Sequence, residues 1–270
     1  MPEVRLSQIP TPGKLRSTFK KAIFGTHVHC PWCNSRRRRV IRSEARWRCQ
    51  RCDKPFSIKS ASWLKGSKLP LEDIWLLLYY WQKKIPLTQT CEFTPLSYPT
   101  VRAWYTRFRE HIPQEKLAIV LNGTVACDEM FTKGNSIIGA KEKGTRNIAL
   151  KVLHTTSVNK QQAVAFLVSA VKAHSELHTD GAGIYRGIGN WHTLKHTYEI
   201  HKKWEFSLTA EIEGLWACFR TFVRRMYHHV TTYKLEELVS EFVLRFRQDK
   251  VFETPYEYVA ICLKPRPFDL

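Results

Sequence analysis

The chain has 270 residues, 43% of them apolar and 12% aromatic, which is enough to bury a sizeable core and excludes a disordered tail. Its 43 Lys and Arg against 24 Asp and Glu give a formal charge of +19 and a pI near 9.7, a balance that calls for a polyanionic partner, either nucleic acid or an anionic membrane surface. No run of about 18 apolar residues is present, and the opening MPEVRLSQIPTPGKLRS lacks the apolar core of a signal peptide, so a soluble cytoplasmic protein is expected.

The charge is uneven. Residues 1–60 hold 15 Lys and Arg against Glu3, Glu44 and Asp53, so twelve of the nineteen net charges fall in the first quarter of the chain. Residues 1–26 form a basic leader with three prolines and no clear period; a phosphate-contacting arm and a poorly ordered leader both fit this composition.

Residues 27–60 contain Cys30, Cys33, Cys49 and Cys52, two C-x-x-C pairs with 15 residues between them. That is zinc-ribbon spacing: each pair makes a knuckle that offers two thiolates to one tetrahedral Zn²⁺, and the intervening loop reads as a short hairpin. The other cysteines, Cys91, Cys127, Cys218 and Cys262, are scattered. Arg36, Arg37, Arg38 and Arg39, with Arg42, Arg46, Arg48 and Arg51, crowd the ribbon and are read as phosphate contacts.

Residues 68–113 carry helical spacing in LEDIWLLLYYWQKK, a short segment LTQTCEFTPL, and SYPTVRAWYTRFREHI with Ser97 as N-cap and Val101, Trp104, Tyr105, Phe108 and Ile112 as its buried stripe. This is helix-turn-helix order, and the last helix would present Thr100, Arg102, Arg107 and Arg109 to DNA.

From residue 120 to 250 the pattern changes. Strands are expected in TVACDEMF, SIIGA and NIALKVLHTT, then a helix over NKQQAVAFLVSAVKAH with Val164, Leu167, Val168 and Val171 on its inner face. A strand ending at Asp180, a helical turn AGIYRGI, a strand TLKHTYE and a helix from about Thr209 to Met226 follow. The order is β-β-β-α-β-α-β-α, that of the ribonuclease H-like fold, a mixed α/β sheet with helices on its faces. A last helix, KLEELVSEFVLRFRQ, precedes a tail, residues 251–270, that is expected to end extended because of Pro265 and Pro267.

Three acids stand out in this region: Asp128, Asp180 and Glu213, separated by 52 and 33 residues. In such a fold they converge, from the central strand, the end of the fourth strand and the final helix. Three carboxylates repel one another and gain from oxygen-coordinated divalent metal. Two ions ~3.5–4 Å apart could then serve an in-line phosphoryl displacement on DNA. Each acid also has a plainer reading: Asp180 before Gly181 as a turn, Glu213 as a first-turn helix acid, Asp128 as a strand carboxylate that needs a partner. Glu129 should face the other side of the sheet. Glu211 lies about 200° from Glu213 around the helix, and Glu213 shares its stripe with Arg220 and Arg224, so Glu213 is the choice. His201, Lys202 and Lys203 are either DNA contacts or solvated surface, and His228 and His229 read as structural.

At these residues the sequence resembles the bacterial insertion-sequence DDE transposases of the zinc-ribbon type, relatives of the Merlin group. The resemblance runs over residues 28–248: the ribbon followed by FSIKSASWLKGSKLPLEDIW, then CDEM, TDGAGIYRGIG, KHTYEIHKKWEF, IEGLWACFR and RRMYHHVTTYKLEELVSEFVLRF. It implies catalysis by Asp128, Asp180 and Glu213 with Mg²⁺ or Mn²⁺, cutting of transposon-end DNA and joining of the 3′ hydroxyl to target DNA. It further implies reading of terminal inverted repeats by the ribbon and helix-turn-helix, a homo-oligomer on DNA, no membrane, and a place at the bacterial nucleoid. Two positions depart from the pattern. Ala210 stands where relatives usually carry Asn, and Arg220 where they commonly carry Lys. The alternative is a domesticated or inactive copy that binds DNA without cutting it.

Overall fold

The computed structural model describes residues 9–132, 134–192, 194–199, 208–227 and 232–265. The chain divides into two compact units, Met1–Pro113 with Lys250–Leu270, and Gln114–Asp249.

In the first unit, helix α1 (Pro12–Phe24) corrects the expectation of a leader without periodicity. The Thr11 hydroxyl accepts from the Lys14 amide at 3.4 Å, and Pro12 takes the first helical position, where a missing N–H costs nothing. Leu15, Phe19 and Ile23 recur every four residues and are buried. The cationic residues between them dilute that stripe in any average over the segment. Strands β1 (Arg38–Ile41), β2 (Arg46–Cys49) and β3 (Pro55–Phe56) form an antiparallel sheet in the order β1-β2-β3. So small a sheet cannot close a core by itself. Phe24 of α1 supplies one, packing edge-on against Trp47 at 5.6 Å and Phe56 at 6.2 Å between ring centres.

The three helices expected next are present as α2 (Leu71–Gln82), α3 (Leu87–Phe93) and α4 (Tyr98–Glu110). Val101, Trp104, Tyr105, Phe108 and Ile112 are buried, as their spacing predicts. Ser97 occupies the N-cap position, but its hydroxyl pairs with the Thr100 hydroxyl at 3.0 Å rather than with a backbone amide. The tail makes a further helix instead of an extended end, and we number it here, ahead of its place in the chain, as α9 (Pro255–Cys262). It starts as α1 does, with a threonine cap: Thr254 accepts from the Glu257 amide at 3.3 Å, and Pro255 follows. The Tyr258 hydroxyl donates to the Phe108 carbonyl at 2.9 Å, the Trp63 indole to the Cys262 carbonyl at 3.1 Å, and the Gln82 amide to the Val251 and Thr254 carbonyls at 2.6 and 2.9 Å. Residues 266–270, with Pro267, lie outside the described residues.

The second unit holds β4 (Thr124–Thr132), β5 (Asn135–Glu142), β6 (Ile148–Leu153), α5 (Lys160–Ala170), β7 (Glu176–Asp180), α6 (Gly189–His192), β8 (Lys195–Glu199), α7 (Ala210–Tyr227) and α8 (Leu235–Phe246). The strands align as β6-β5-β4-β7-β8, with β5 antiparallel to both neighbours and β7 and β8 parallel to β4 and to each other. This is the ribonuclease H-like arrangement expected from the element order. Alternation along β4 sends Val125 and Cys127 into a core with Phe166 and Leu167 of α5, and Asp128 to the opposite face, where Trp216 of α7 meets it. Phe219 of α7 meets Phe242 of α8 on that second face at 5.1 Å.

Helix α5 differs from expectation at its end and on its face. It stops at Ala170, because Val171 turns extended (φ −126°, ψ 133°) and bridges to Leu121. Its buried face is Ala163, Phe166, Leu167 and Ala170, which leaves Val168 half exposed. Asn159 and Gln162 form a capping box that sets this phase.

Helix α9 is a structural part of the first unit, so Tyr258→Ala should cost ~3–5 kcal/mol and Tyr258→Phe only about 1 kcal/mol. Urea denaturation checks this; an unchanged midpoint for Tyr258→Ala would contradict it.

Candidate active site and metal centre

The two cysteine pairs are built alike. The Cys30 amide donates to the Ser35 carbonyl at 2.9 Å, and the Cys49 amide to the Lys54 carbonyl at 3.0 Å, five residues on in each case. The residue after each second cysteine, Asn34 and Asp53, adopts φ 55°, a conformation these two side chains tolerate. The four sulfur atoms lie within 4.8 Å of one another, with Cys30–Cys52 at 3.6 Å and Cys33–Cys49 at 3.5 Å. Zn–S bonds of ~2.3 Å in a tetrahedron put sulfurs about 3.8 Å apart, so the donor set fits one structural zinc. Burial pushes the Cys30 thiol up to about 12. At Cys49 burial acts in the same sense, but the amides of Cys52 and Arg51 and the neighbouring thiols outweigh it and bring the group down to about 6.

In the second unit, β4 and β7 run parallel with Ala126 beside His178. Two residues further along, Asp128 and Asp180 fall on the same face, toward α7. Helix α7 carries Glu213 in its first turn. Burial raises the Asp128 carboxyl above the usual range; the Glu129 amide and the Trp216 indole oppose that, and the charges of Asp180 and Glu213 add to it. The three acids are thus within electrostatic reach of one another, although among the described residues only the four thiols are gathered within 4.8 Å. One oxygen of Asp180 also accepts from the Ala182 amide at 3.1 Å, the turn role its Gly181 neighbour suggested.

The neighbouring acids take other partners. Glu129 faces the α5 side and accepts from the buried Tyr185 hydroxyl at 2.6 Å. Glu211 pairs with Lys141 of β5, which holds its carboxyl below the usual range. Two residues escaped notice in the sequence. Glu199 lies beside Asp180 in the β7–β8 register, is 3% exposed, and accepts from the Leu208 amide and from the Thr209 amide and hydroxyl at 2.9, 2.9 and 2.7 Å, which anchors the start of α7. Trp216, seen only as a member of the apolar stripe, donates from Nε1 to Asp128 Oδ2 at 2.9 Å. A glutamate followed three residues later by a tryptophan on one helix was the available signal, since that spacing places both on one turn.

Family comparisons agree with this layout. Residues 120–247 match the ISXO2-like transposase domain, and residues 13–55 match the transposase zinc-ribbon domain. The chain belongs to the IS1595-type zinc-ribbon transposases. A search of the curated proteins returns no match. Among solved structures the transposase is similar to a chain of the simian T-cell lymphotropic virus intasome, solved in complex with PP2A regulatory subunit B56 gamma. The identity is 11%, the TM-score 0.34, and the match covers 47% of the transposase and about half (48%) of that chain, a likeness too slight to bear on function.

The basic residues of the transposase divide by exposure. Arg36, Arg37 and Arg39 are exposed and Arg38 is partly so, with its guanidinium on the Arg36 carbonyl at 3.0 Å. Arg102 is exposed, and Arg107 lies over the Trp104 ring at 5.3 Å. Arg109 corrects an expectation: it is 8% exposed and donates to the Thr106 hydroxyl at 2.9 Å, so it is not presented outward. Arg220 and Arg224 are exposed on α7. His201, Lys202, Lys203, His228 and His229 lie outside the described residues. Among the described residues no helix is long and apolar enough to cross a membrane.

Burial, with the charges of Asp128 and Asp180, raises the Glu129 carboxyl from 4.5 to about 7 despite the Tyr185 bond. A raised folded-state value favours folding fully below about 4.5, and the gain is lost as pH rises through about 7. Metal-free protein should therefore lose up to about 3 kcal/mol between pH 5 and pH 8, and Glu129→Gln should flatten that slope in denaturation measured across this range. A wild-type slope in the variant would show that another group titrates.

Proposed function

We propose that this transposase cuts DNA at the ends of its element and joins the freed 3′ hydroxyl to target DNA, with Asp128, Asp180 and Glu213 as the carboxylates that hold divalent metal. The observation that carries the reading is the placement of Asp128 and Asp180 side by side on parallel strands under the helix that bears Glu213, so that Asp180 and Glu213 both oppose ionisation of Asp128. An arrangement that costs free energy in the free protein is repaid when cations enter it. Mg²⁺ or Mn²⁺ would supply Lewis-acid activation of the attacking and leaving oxygens. Cleavage adds water across one phosphodiester and leaves a 3′ hydroxyl; joining exchanges one phosphodiester for another, so neither step needs an oxidant or an energy donor.

Double-stranded DNA is the partner this reading requires. Arg36, Arg37, Arg38 and Arg39 on the ribbon, Arg102 and Arg107 on α4, and Arg220 and Arg224 on α7 supply phosphate contacts, with the zinc-held ribbon and the helices α2–α4 recognising the terminal repeats. A homo-oligomer would hold two ends together. Ala210 and Arg220 favour a second reading, a copy that occupies DNA without cutting it. Against it, the start of α7 is already anchored through Glu199, with no side chain needed at position 210.

Purified protein with Mg²⁺ and labelled DNA carrying the flanking inverted repeat tests the proposal. Cleaved and joined products should form with wild type and vanish with Asp128→Ala, Asp180→Ala and Glu213→Ala, while binding persists. Binding without products from any of the proteins would overturn the enzyme and leave the DNA-occupying reading. Replacing Arg36, Arg37, Arg38 and Arg39 by Ala should weaken DNA binding and make it less salt-sensitive, by about 0.9 in the logarithmic slope for each phosphate that is no longer neutralised. An unchanged slope would remove these arginines from the interface.

A further inference from the structure

We infer that Trp216 is a positioning residue for the acidic site, holding Asp128 in its metal-binding orientation through the indole N–H; the inference rests on the reading of Asp128 as a metal ligand. Trp216 is 3% exposed and donates from Nε1 to Asp128 Oδ2 at 2.9 Å. A buried indole must satisfy its single donor, and here its acceptor is the carboxylate on the central strand rather than a backbone carbonyl. The same helix turn carries Glu213, three residues earlier, so the contact sets α7 against β4 at the level where the two acids meet.

The strand beside Asp128 is shaped for this ring. Gly139 of β5 is the register partner of Asp128. A Cβ built at Gly139 would lie 2.6 Å from Trp216 Cη2, 2.8 Å from Cζ2 and 2.6 Å from Leu150 Cδ2. Contacts that short are forbidden, so the glycine leaves the space that the indole occupies. A phenyl or aliphatic side chain would fill a core position equally well, but it would bring no donor to Asp128. Outer donors of this kind fix the rotamer of a metal-binding carboxylate, and their removal typically weakens metal affinity 10–100-fold.

The test uses the full-length, zinc-loaded protein titrated with Mn²⁺ alone and read by electron paramagnetic resonance. Four proteins are compared: wild type, Asp128→Ala, Trp216→Phe, and a chain with 3-benzothienylalanine at position 216, which keeps the ring shape and lacks the N–H. Asp128→Ala should abolish binding at the acidic site, and both position-216 variants should weaken it about tenfold with unchanged DNA affinity. Should Trp216→Phe fail to fold, the isostere decides. Wild-type affinity in Asp128→Ala would remove the acids from metal binding, and the proposed function with them. Wild-type affinity in the isostere, with Asp128→Ala defective, would leave that function standing and overturn the role of Trp216.

Discussion

A carboxylate on the central strand of a sheet covered on both faces is costly unless something meets it. Asp128 is in that position, and much of the second unit is arranged around it. Parallel pairing of β4 with β7 brings Asp180 alongside, α7 lays Glu213 over the pair, and the Trp216 indole binds one carboxylate oxygen. The glycine opposite, Gly139, gives the indole room. Glu199, next in the row, uses its charge to tie down the start of α7. The acids that do not converge have been given partners elsewhere, Glu129 with Tyr185 and Glu211 with Lys141. Repulsion among the converging group is what makes cation binding favourable.

The two units use opposite chemistry. In the first, soft thiolates suited to zinc fold a ribbon too small to hold itself together, and Phe24 of α1 completes its core. In the second, oxygen ligands suit hard divalent ions that exchange with solvent and substrate. Excess positive charge is concentrated with the ribbon, whereas the acids sit in the sheet, so the binding and reacting surfaces differ in sign. A polyanion would be drawn to the first and would meet metal at the second.

Much of this was legible from spacing. Cysteine pairs 15 residues apart, the apolar stripe of α4 and the β-β-β-α order of the second unit translate directly into the observed elements. What escaped was of two kinds. Helices α1 and α9 both open with Thr-Pro, and the proline was read as a mark of extended chain when it followed a cap; cationic residues hid the period of α1, and shortness hid that of α9. The phase of α5 was misjudged because valines outranked alanines in the choice of inner face, although Ala163 and Ala170 pack closely there. At the site, alternation put Glu129 and Asp128 on opposite faces correctly, and helical phase separated Glu211 from Glu213. Pairings such as Trp216 with Asp128, 88 residues apart, depend on sheet register that local pattern does not encode.

The central claim is that Asp128, Asp180 and Glu213 act together on divalent metal. Anomalous scattering from crystals grown with Mn²⁺ tests it most directly. The account requires manganese bound to Asp128 and Asp180, with Glu213 on the same ion or on a neighbour. Manganese held by Glu129 or Glu211 instead, or its absence from the three acids at saturating concentration, would contradict it.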